Sequence, residues 1–147
     1  NVFLKTCAQE AIHLLSLQKE KQTVHYHNHL AENLFVKADD QRLIQVFVNL
    51  LSNARDASPP EGDILIEGRL KHNRVEFSVT DYGTGIPQEH INQIFEPFFT
   101  TKEAGQGTGL GLAMVYSIIE DHQGALEILS PAHSDTQNGT RFIISLP

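Results

Sequence analysis

The sequence predicts a single α/β domain in which helices pack on one face of a mixed sheet. Three observations lead to this fold class. The length of 147 residues suits one self-sufficient core. Segments with helical spacing of apolar residues alternate irregularly with segments of strand-like alternation, and two strand segments are close enough in sequence to form a hairpin. Because no internal repeat or linker is evident, residues 1–147 are expected to form one domain.

Each element depends on its apolar pattern and on the residues that bound it. In chain order the sequence predicts a helix over residues 2–22, strands over 23–29 and 34–38, a helix from 39 or 40 to 58, a hairpin of strands 64–70 and 75–80, a short helix over 88–95, a helix over 110–122, and strands over 126–129 and 140–146. Asp39 or Asp40 caps the second helix, and Pro59 and Pro60 end it. Gly124 ends the last helix, and the glycine-rich residues 97–109 predict a mobile loop.

Charge and composition exclude several classes of protein. The 18 Asp and Glu against 11 Lys and Arg give a net charge of −7, which argues against nucleic acid as a partner. No stretch approaches the roughly 20 apolar residues that cross a membrane, so we expect a soluble piece without direct membrane contact. Because the chain begins at Asn1 and its only methionine is Met114, we expect a processed or excised form.

Two further features receive structural interpretations. His25, His27 and His29 share one strand face, and we expect an exposed edge strand there, because nothing supplies further ligands of defined geometry for a metal. Cys7 is the only cysteine, so we expect no intrachain disulfide and no thiolate zinc site. On the first helix this thiol is expected to be packed and inert.

One face of the second helix offers the first candidate site. Asn49, Asn53 and Asp56 fall together, opposite the apolar stripe. A solvated polar face is the ordinary interpretation of this pattern. The alternative is that two amide oxygens one turn apart bind a hard cation such as Mg²⁺, sharing the ion with a phosphate.

A second candidate site follows the hairpin. Asp81 comes directly after a strand and precedes Gly83 and Gly85 in the segment DYGTGIP. A carboxylate there can accept a hydrogen bond from an exocyclic amine, and the glycines let a flat ring approach the backbone. An ordinary Asp-x-Gly turn fits the same residues.

The third candidate is GQGTGLGL at residues 105–112, where four glycines lead into an apolar helix. Successive backbone N–H groups at a helix start can hold phosphate oxygens. The spacing is neither the Rossmann fingerprint nor a P-loop, and the HRD and DFG signatures of protein kinases are absent. Lys102 precedes these glycines and either meets a terminal phosphate or is simply solvated.

In this order, the motifs resemble the ATP-binding catalytic domain of sensor histidine kinases, which belongs to a group that includes gyrase, mismatch-repair and heat-shock-chaperone ATPases. The matching segments are the N box NLLSNA at 49–54, the first glycine box DYGTG at 81–85, the F box IFEPFFTTK at 94–102, the second glycine box at 105–112 and the turn GTRF at 139–142. The resemblance covers nearly the whole chain, and the F box is most similar to the nitrogen-regulation subtype. It implies the Bergerat ATP-binding fold, a two-layer α/β sandwich with a mixed, mostly antiparallel sheet.

The resemblance implies ATP and Mg²⁺ as cofactors, with ADP as a further ligand. Asp81 would bind the adenine amino group, Thr140 would lie near the adenine, and Asn49 and Asn53 would bind the metal. The implied ATP-binding residues are Asn53, Asp81, Gly83, Gly85, Ile86, Thr101, Lys102, Gly107, Thr108, Gly109, Leu110, Gly111 and Thr140.

Two positions depart from patterns known in the group. The ATP-hydrolysing relatives have a glutamate where Asn49 stands, and an amide cannot act as a general base near neutral pH. Phosphoryl transfer is therefore favoured over hydrolysis, with Asn49 as the one candidate catalytic residue. Many sensor kinases have a lysine where Asp56 stands, with Arg55 beside it, which puts the phosphate role of that position in doubt.

The expected activity is that of a protein-histidine kinase fragment that does not phosphorylate itself. None of the eight histidines is followed by Glu, so the phosphoacceptor is expected in a separate helical-hairpin dimerisation domain. Sensor domains are also expected elsewhere, and a response regulator receiver domain is the expected later partner. We expect a cytoplasmic location, with membrane anchoring of the parent left open. Two alternatives are a degenerate nucleotide-binding interaction module and an anti-sigma-type serine kinase of the same fold.

Overall fold

The structure is a computed structural model that describes residues 1–18, 23–86, 90, 93, 111–133 and 138–147. Its elements are β1 (Val2–Phe3), α1 (Leu4–Ser16), β2 (His25–Asn28), β3 (Phe35–Val36), α2 (Asp40–Ala57), β4 (Asp63–Lys71), β5 (Arg74–Asp81), α3 (Gly111–Asp121), β6 (Ala125–Leu129) and β7 (Thr140–Leu146). The predicted loop over 97–109 lies outside the described residues, as does the predicted helix over 88–95 apart from residues 90 and 93.

Five of the strands form one mixed sheet in the order β2-β4-β5-β7-β6. β2 is parallel to β4, and every other neighbouring pair is antiparallel. The helices lie on one side of this sheet, and β1 pairs with β3 in a separate two-stranded sheet. The predicted fold class, a two-layer arrangement with a mixed and mostly antiparallel sheet, is confirmed.

The central helix α2 is fixed at its start and along its apolar face. The Asp39 side chain accepts hydrogen bonds from the backbone N–H groups of Gln41 and Arg42, which confirms the predicted cap. Phe47 is fully buried and its ring lies 5.0 Å from that of Phe77 on β5, measured between centroids. This contact packs α2, which carries the polar residues of the N box, against β5, the strand that ends in Asp81.

The first predicted helix is too long at both ends. Val2 and Phe3 pair with Val36 and Phe35, and this strand pairing holds the first residues in extended backbone. The helix ends at Ser16, because the buried stripe stops at Leu15. The next apolar residue, Leu17, is exposed and gains nothing from a further helical turn.

α3 ends in a turn in which Gln123, and not Gly124, has left-handed backbone. Gln123 has a φ of 57°, and its N–H group donates to the Glu120 carbonyl. The Gly124 N–H group then donates to the Ile119 carbonyl at 2.8 Å, which completes a Schellman arrangement. Glycine is needed at 124 for a different reason, since a Cβ there would lie 2.7 Å from the Ser145 carbonyl oxygen.

Two predictions about the surface and core are confirmed. β2, which carries His25 and His27, lies at the edge of the large sheet, and His29 directly follows its last residue. Cys7 is buried in α1, and burial raises the pKa of its thiol to about 11, so the reactive thiolate is scarce.

Among the described residues, no helix is both long and apolar enough to cross a membrane.

Candidate functional site

A buried carboxyl group lies at the end of the central strand β5. Asp81 is 4% exposed and pairs with Thr140, the first residue of β7. Its Oδ1 atom accepts a hydrogen bond from the Gly83 N–H group at 2.9 Å. Burial raises the pKa of Asp81, whereas the backbone N–H groups of Gly83 and Thr140 act in the opposite direction. Because a carboxylate has about four acceptor positions, these two donors leave capacity for a donor from a ligand.

The turn after Asp81 lies directly against the end of α2. A Cβ atom on Gly83 would overlap the backbone carbonyl of Ala57, so only glycine allows this approach. The contact joins the first glycine box to the helix that carries the N box. The glycine predicted here for close approach of a ring therefore also allows close approach of the protein's own backbone.

Asn49 lies between α2 and the start of α3. Its Nδ2 atom donates to the Gly111 carbonyl at 3.1 Å, and its Oδ1 atom accepts from Gln45 at 3.0 Å. The residue is half-buried, so it is a contact between helices and not part of a fully solvated face. An amide oxygen has two lone pairs, so Oδ1 retains one that fits a hard cation. Asn53, also half-buried, lies one turn further along α2.

Arg55 and Asp56 contact each other near the end of α2. Arg55 is 3% exposed, and its Nε atom lies 3.8 Å from a carboxylate oxygen of Asp56. Its guanidinium also donates to the Ser52 hydroxyl at 3.5 Å. The Arg55 side chain, next to the position where many sensor kinases have a lysine, is thus held by contacts within the protein.

Two histidines of β2 contact acidic side chains. His25 contacts Glu61 at 2.7 Å, and His27 contacts Asp63 at 2.9 Å. Within the part of the chain that the structure describes, no group of three or more His, Cys, Asp or Glu side chains is arranged to hold a metal ion. The predicted metal ligands, the amide oxygens of Asn49 and Asn53, do not belong to these four residue types.

The predicted site residues thus form two clusters joined by α2. Asp81, Gly83 and Thr140 meet at one end, with Gly85 and Ile86 following, and Asn49 meets Gly111 at the other end. Ala57 and Asn49 are two turns apart on α2, which corresponds to about 12 Å. Six predicted residues, and with them most of the predicted phosphate site, lie outside the described residues: Thr101, Lys102, Gly107, Thr108, Gly109 and Leu110.

The sequence missed the residues that support the Asp81 turn. The Ser130 hydroxyl accepts a hydrogen bond from the Ile86 N–H group at 2.7 Å. The His133 ring stacks on Tyr82, with centroids 4.0 Å apart and an interplanar angle of 8°. The segment between the predicted strands 126–129 and 140–146 has no pattern from which this contact could be found, because the stacked residues are far apart in sequence.

Comparison with known proteins agrees with the geometry. The family model described as histidine kinase-, DNA gyrase B-, and HSP90-like ATPase matches residues 38–147. The chain belongs to this family. Among curated relatives of this ATPase domain, the sensor kinase CckA of Brucella abortus (strain 2308) is 46% identical over 127 residues, which cover 76% of this chain and 13% of that protein.

Solved structures of histidine kinases share the fold of this ATPase domain. The catalytic domain of the histidine kinase ThkA, in a nucleotide-free form, superposes with a TM-score of 0.81 at 34% identity and covers 99% of this chain and 95% of that one. Full-length ShkA in complex with AMPPNP gives a TM-score of 0.80 at 26% identity and covers 99% of this chain and 30% of that one. The predicted resemblance to the ATP-binding domain of sensor histidine kinases is therefore confirmed, while the nitrogen-regulation subtype stays a prediction. The chain spans only 13% of CckA and 18% of the sporulation kinase A of Bacillus subtilis (strain 168).

Proposed function

We propose that this chain binds ATP with Mg²⁺ and donates the γ-phosphate to a histidine on a separate helical-hairpin domain. The observation that carries the proposal is the buried Asp81 carboxyl, which ends β5 and retains acceptor capacity beside the backbone of Gly83. ShkA, a relative in fold, was solved in complex with the ATP analogue AMPPNP, which supports a nucleotide as the ligand.

The adenine is assigned to the Asp81 end of the site. The 6-amino group of adenine is a donor, and Asp81 is the buried acceptor that would receive it, with Thr140 beside it. Gly83, Gly85 and the partly buried Ile86 would border the base. A base with a carbonyl oxygen in place of the amine would leave two acceptors facing each other, so adenine is preferred over guanine.

The phosphates and the metal are assigned to the opposite end. Asn49 and Asn53 would hold Mg²⁺ through amide oxygens, and the separation of about 12 Å between Ala57 and Asn49 suits an extended nucleotide. When bound, Mg²⁺ supplies neutralisation of the phosphate charge. We propose that the phosphates are also contacted by the remaining predicted residues, which are the backbone of Gly107 to Gly111 together with Thr101, Lys102, Thr108 and Leu110.

Transfer to another protein group is favoured over hydrolysis. Asn49 donates to the Gly111 carbonyl and accepts from Gln45, and an amide at this position cannot take a proton from water. Catalysis by this chain would consist of positioning ATP, and the partner would supply the nucleophile and its base. We propose residues 1–147 as one catalytic domain whose partners are the phosphoacceptor and dimerisation domain and a response regulator receiver domain. All of these are placed in the cytoplasm, where ATP is available.

The test combines the chain with a separately prepared hairpin domain from the same parent, together with ATP and Mg²⁺. The proposal predicts acid-labile phosphohistidine on the hairpin domain, and its loss with Asp81→Asn. Acid-stable phosphoserine on a substrate protein would instead indicate the serine kinase alternative. Failure of the chain to bind any nucleotide in calorimetry would indicate the degenerate module.

A further inference from the structure

The backbone that carries Asp81 is held by residues from the β6–β7 connection. We call residues 130–133 and 138–140 the loop base. Three consecutive carbonyl groups accept hydrogen bonds from it: Asp81 from the His133 ring at 3.2 Å, Tyr82 from the Asn138 side chain at 3.0 Å, and Gly83 from the Gly139 N–H group at 2.9 Å. Since a carbonyl oxygen only accepts, the Nε2 atom of His133 carries the proton in this contact.

The His133 ring is itself fixed in place from two sides. Tyr82 stacks on one face at 4.0 Å between centroids. Gly139, with a φ of 83°, packs closely against the ring on another side. A Cβ atom there would lie 2.7 Å from Cδ2 of the His133 ring and would overlap the Asp81 carbonyl. The two parts of the loop base are also hydrogen-bonded to each other, since the backbone N–H group of His133 donates to the Asn138 carbonyl at 3.0 Å. Contacts from both neighbours thus define the position of the imidazole.

These contacts act on the main chain of the residue whose side chain is assigned to the base. The Asp81 carboxylate has little freedom of its own, because Oδ1 is already bonded to the Gly83 N–H group. Its direction therefore follows the backbone at 81 and 82, which His133 holds through one hydrogen bond and one aromatic contact.

We propose that His133 is a positioning residue for recognition of the adenine amino group, acting through the backbone of Asp81 and through the Tyr82 ring. The inference deepens the proposed function and rests on it. His133 does not touch the nucleotide in this account. It determines how well the Asp81 carboxylate is aimed at a donor on the base.

The test compares two nucleotides by calorimetry in the presence of Mg²⁺: ATP, and the triphosphate of purine riboside, which lacks the 6-amino group. His133→Ala is expected to weaken ATP binding about five- to tenfold, as for one net hydrogen bond and one aromatic contact. Binding of the purine riboside triphosphate should change less than twofold. A merely structural role would weaken both nucleotides equally, and that result, or no loss for ATP, would overturn the inference.

Two conservative variants separate the contributions of the ring and the hydrogen bond. His133→Phe keeps the aromatic stack without the donor, and His133→Gln keeps a donor without the ring. Each should recover part of the ATP affinity. If His133→Ala does not fold, these two variants carry the same comparison of nucleotides. His13→Ala, an exposed histidine on α1, is the matched control and should bind both nucleotides as the wild type does.

The proposed function can fail independently in this experiment. If the wild-type chain binds neither nucleotide, or if Asp81→Asn binds ATP as the wild type does, both proposals are overturned. If Asp81→Asn loses affinity for ATP while His133→Ala does not, the proposed function stands and only the role of His133 is wrong.

Discussion

The two ends of the candidate site are built in different ways. At the Asp81 end, contacts between backbone groups far apart in sequence hold the carboxyl, and glycines at 83 and 139 allow the chain segments to approach. At the Asn49 end, two amide side chains lie on adjacent turns of one helix, and local spacing alone brings them together. The difference suggests that the base end tolerates few backbone changes, whereas the metal end depends on individual side chains.

The largest effect is expected from Gly83→Ala. The added methyl group would overlap the Ala57 carbonyl at the end of α2, so the free energy of unfolding should fall by about 3 kcal/mol and ATP affinity should fall with it. Urea denaturation measures this change. Gly111→Ala is the control for stability. Among the described residues the nearest atom to the added Cβ would be 3.8 Å away, and alanine favours the helix by up to about 1 kcal/mol. Equal stability of the two variants would contradict the close approach at Gly83.

Asp81→Asn should have the next largest effect, and it should act mainly on binding. The variant loses the charged acceptor, which is worth about 2 kcal/mol, so ATP affinity should fall roughly 30-fold. The Asn oxygen can still accept from the Gly83 N–H group, so the fold is expected to persist. Calorimetric titration with ATP and ADP measures the affinity, and a fall of less than threefold would count against Asp81 as the base acceptor.

Asn53→Ala should have a smaller and conditional effect. Removal of one amide ligand should weaken ATP binding about fivefold when Mg²⁺ is present and leave it unchanged when the metal is chelated. Titrations with and without Mg²⁺ measure this difference. Gln41→Ala, an exposed amide on the same helix, is the control. The same loss in both conditions would show that Asn53 serves the fold or the nucleotide and not the metal.

The smallest effect concerns the stability of the unliganded chain as a function of pH. Because burial raises the pKa of Asp81, the folded state binds this proton more tightly than the unfolded state. Stability therefore declines as pH rises from the usual aspartate value of about 3.9 through the raised value, and it stays lower above that window. Asp81→Asn should remove this decline.

Urea denaturation across pH 4 to 8 measures that change without nucleotide. Glu10→Gln, exposed on α1, controls for the loss of one negative charge. If wild type and Asp81→Asn keep the same pH profile, burial of the Asp81 carboxyl has no energetic consequence and its raised pKa is wrong.

The sequence predicted the elements whose signals are local. The capped helix α2 and the hairpin of β4 and β5 were correct because Asp39, the prolines after Ser58 and the alternating apolar residues all lie within a few residues of their effect. The start of α1 was wrong because Val2 and Phe3 pair with a strand more than 30 residues away. Long-range pairing of this kind overrides helical periodicity and leaves no local pattern.

The residues of the candidate site also divide into those with local sequence signals and those without. Asn49, Asp81 and the glycines belong to motifs of short spacing, so the sequence alone was enough to predict them as site residues. The Gly83 contact with Ala57 and the His133 contact with Asp81 depend on how β5, α2 and the β6–β7 connection meet in space. Gln123 has left-handed backbone at the end of α3, whereas Gly124 is needed because a Cβ atom there would lie too close to the Ser145 carbonyl.

A crystal structure of the chain with Mg²⁺ and a non-hydrolysable ATP analogue would test the central claim most directly. We predict that the adenine 6-amino nitrogen lies about 2.7–3.2 Å from a carboxylate oxygen of Asp81, with the phosphates toward Asn49. A base bound elsewhere, or an amino group paired with another acceptor while Asp81 keeps only its backbone partners, would contradict it.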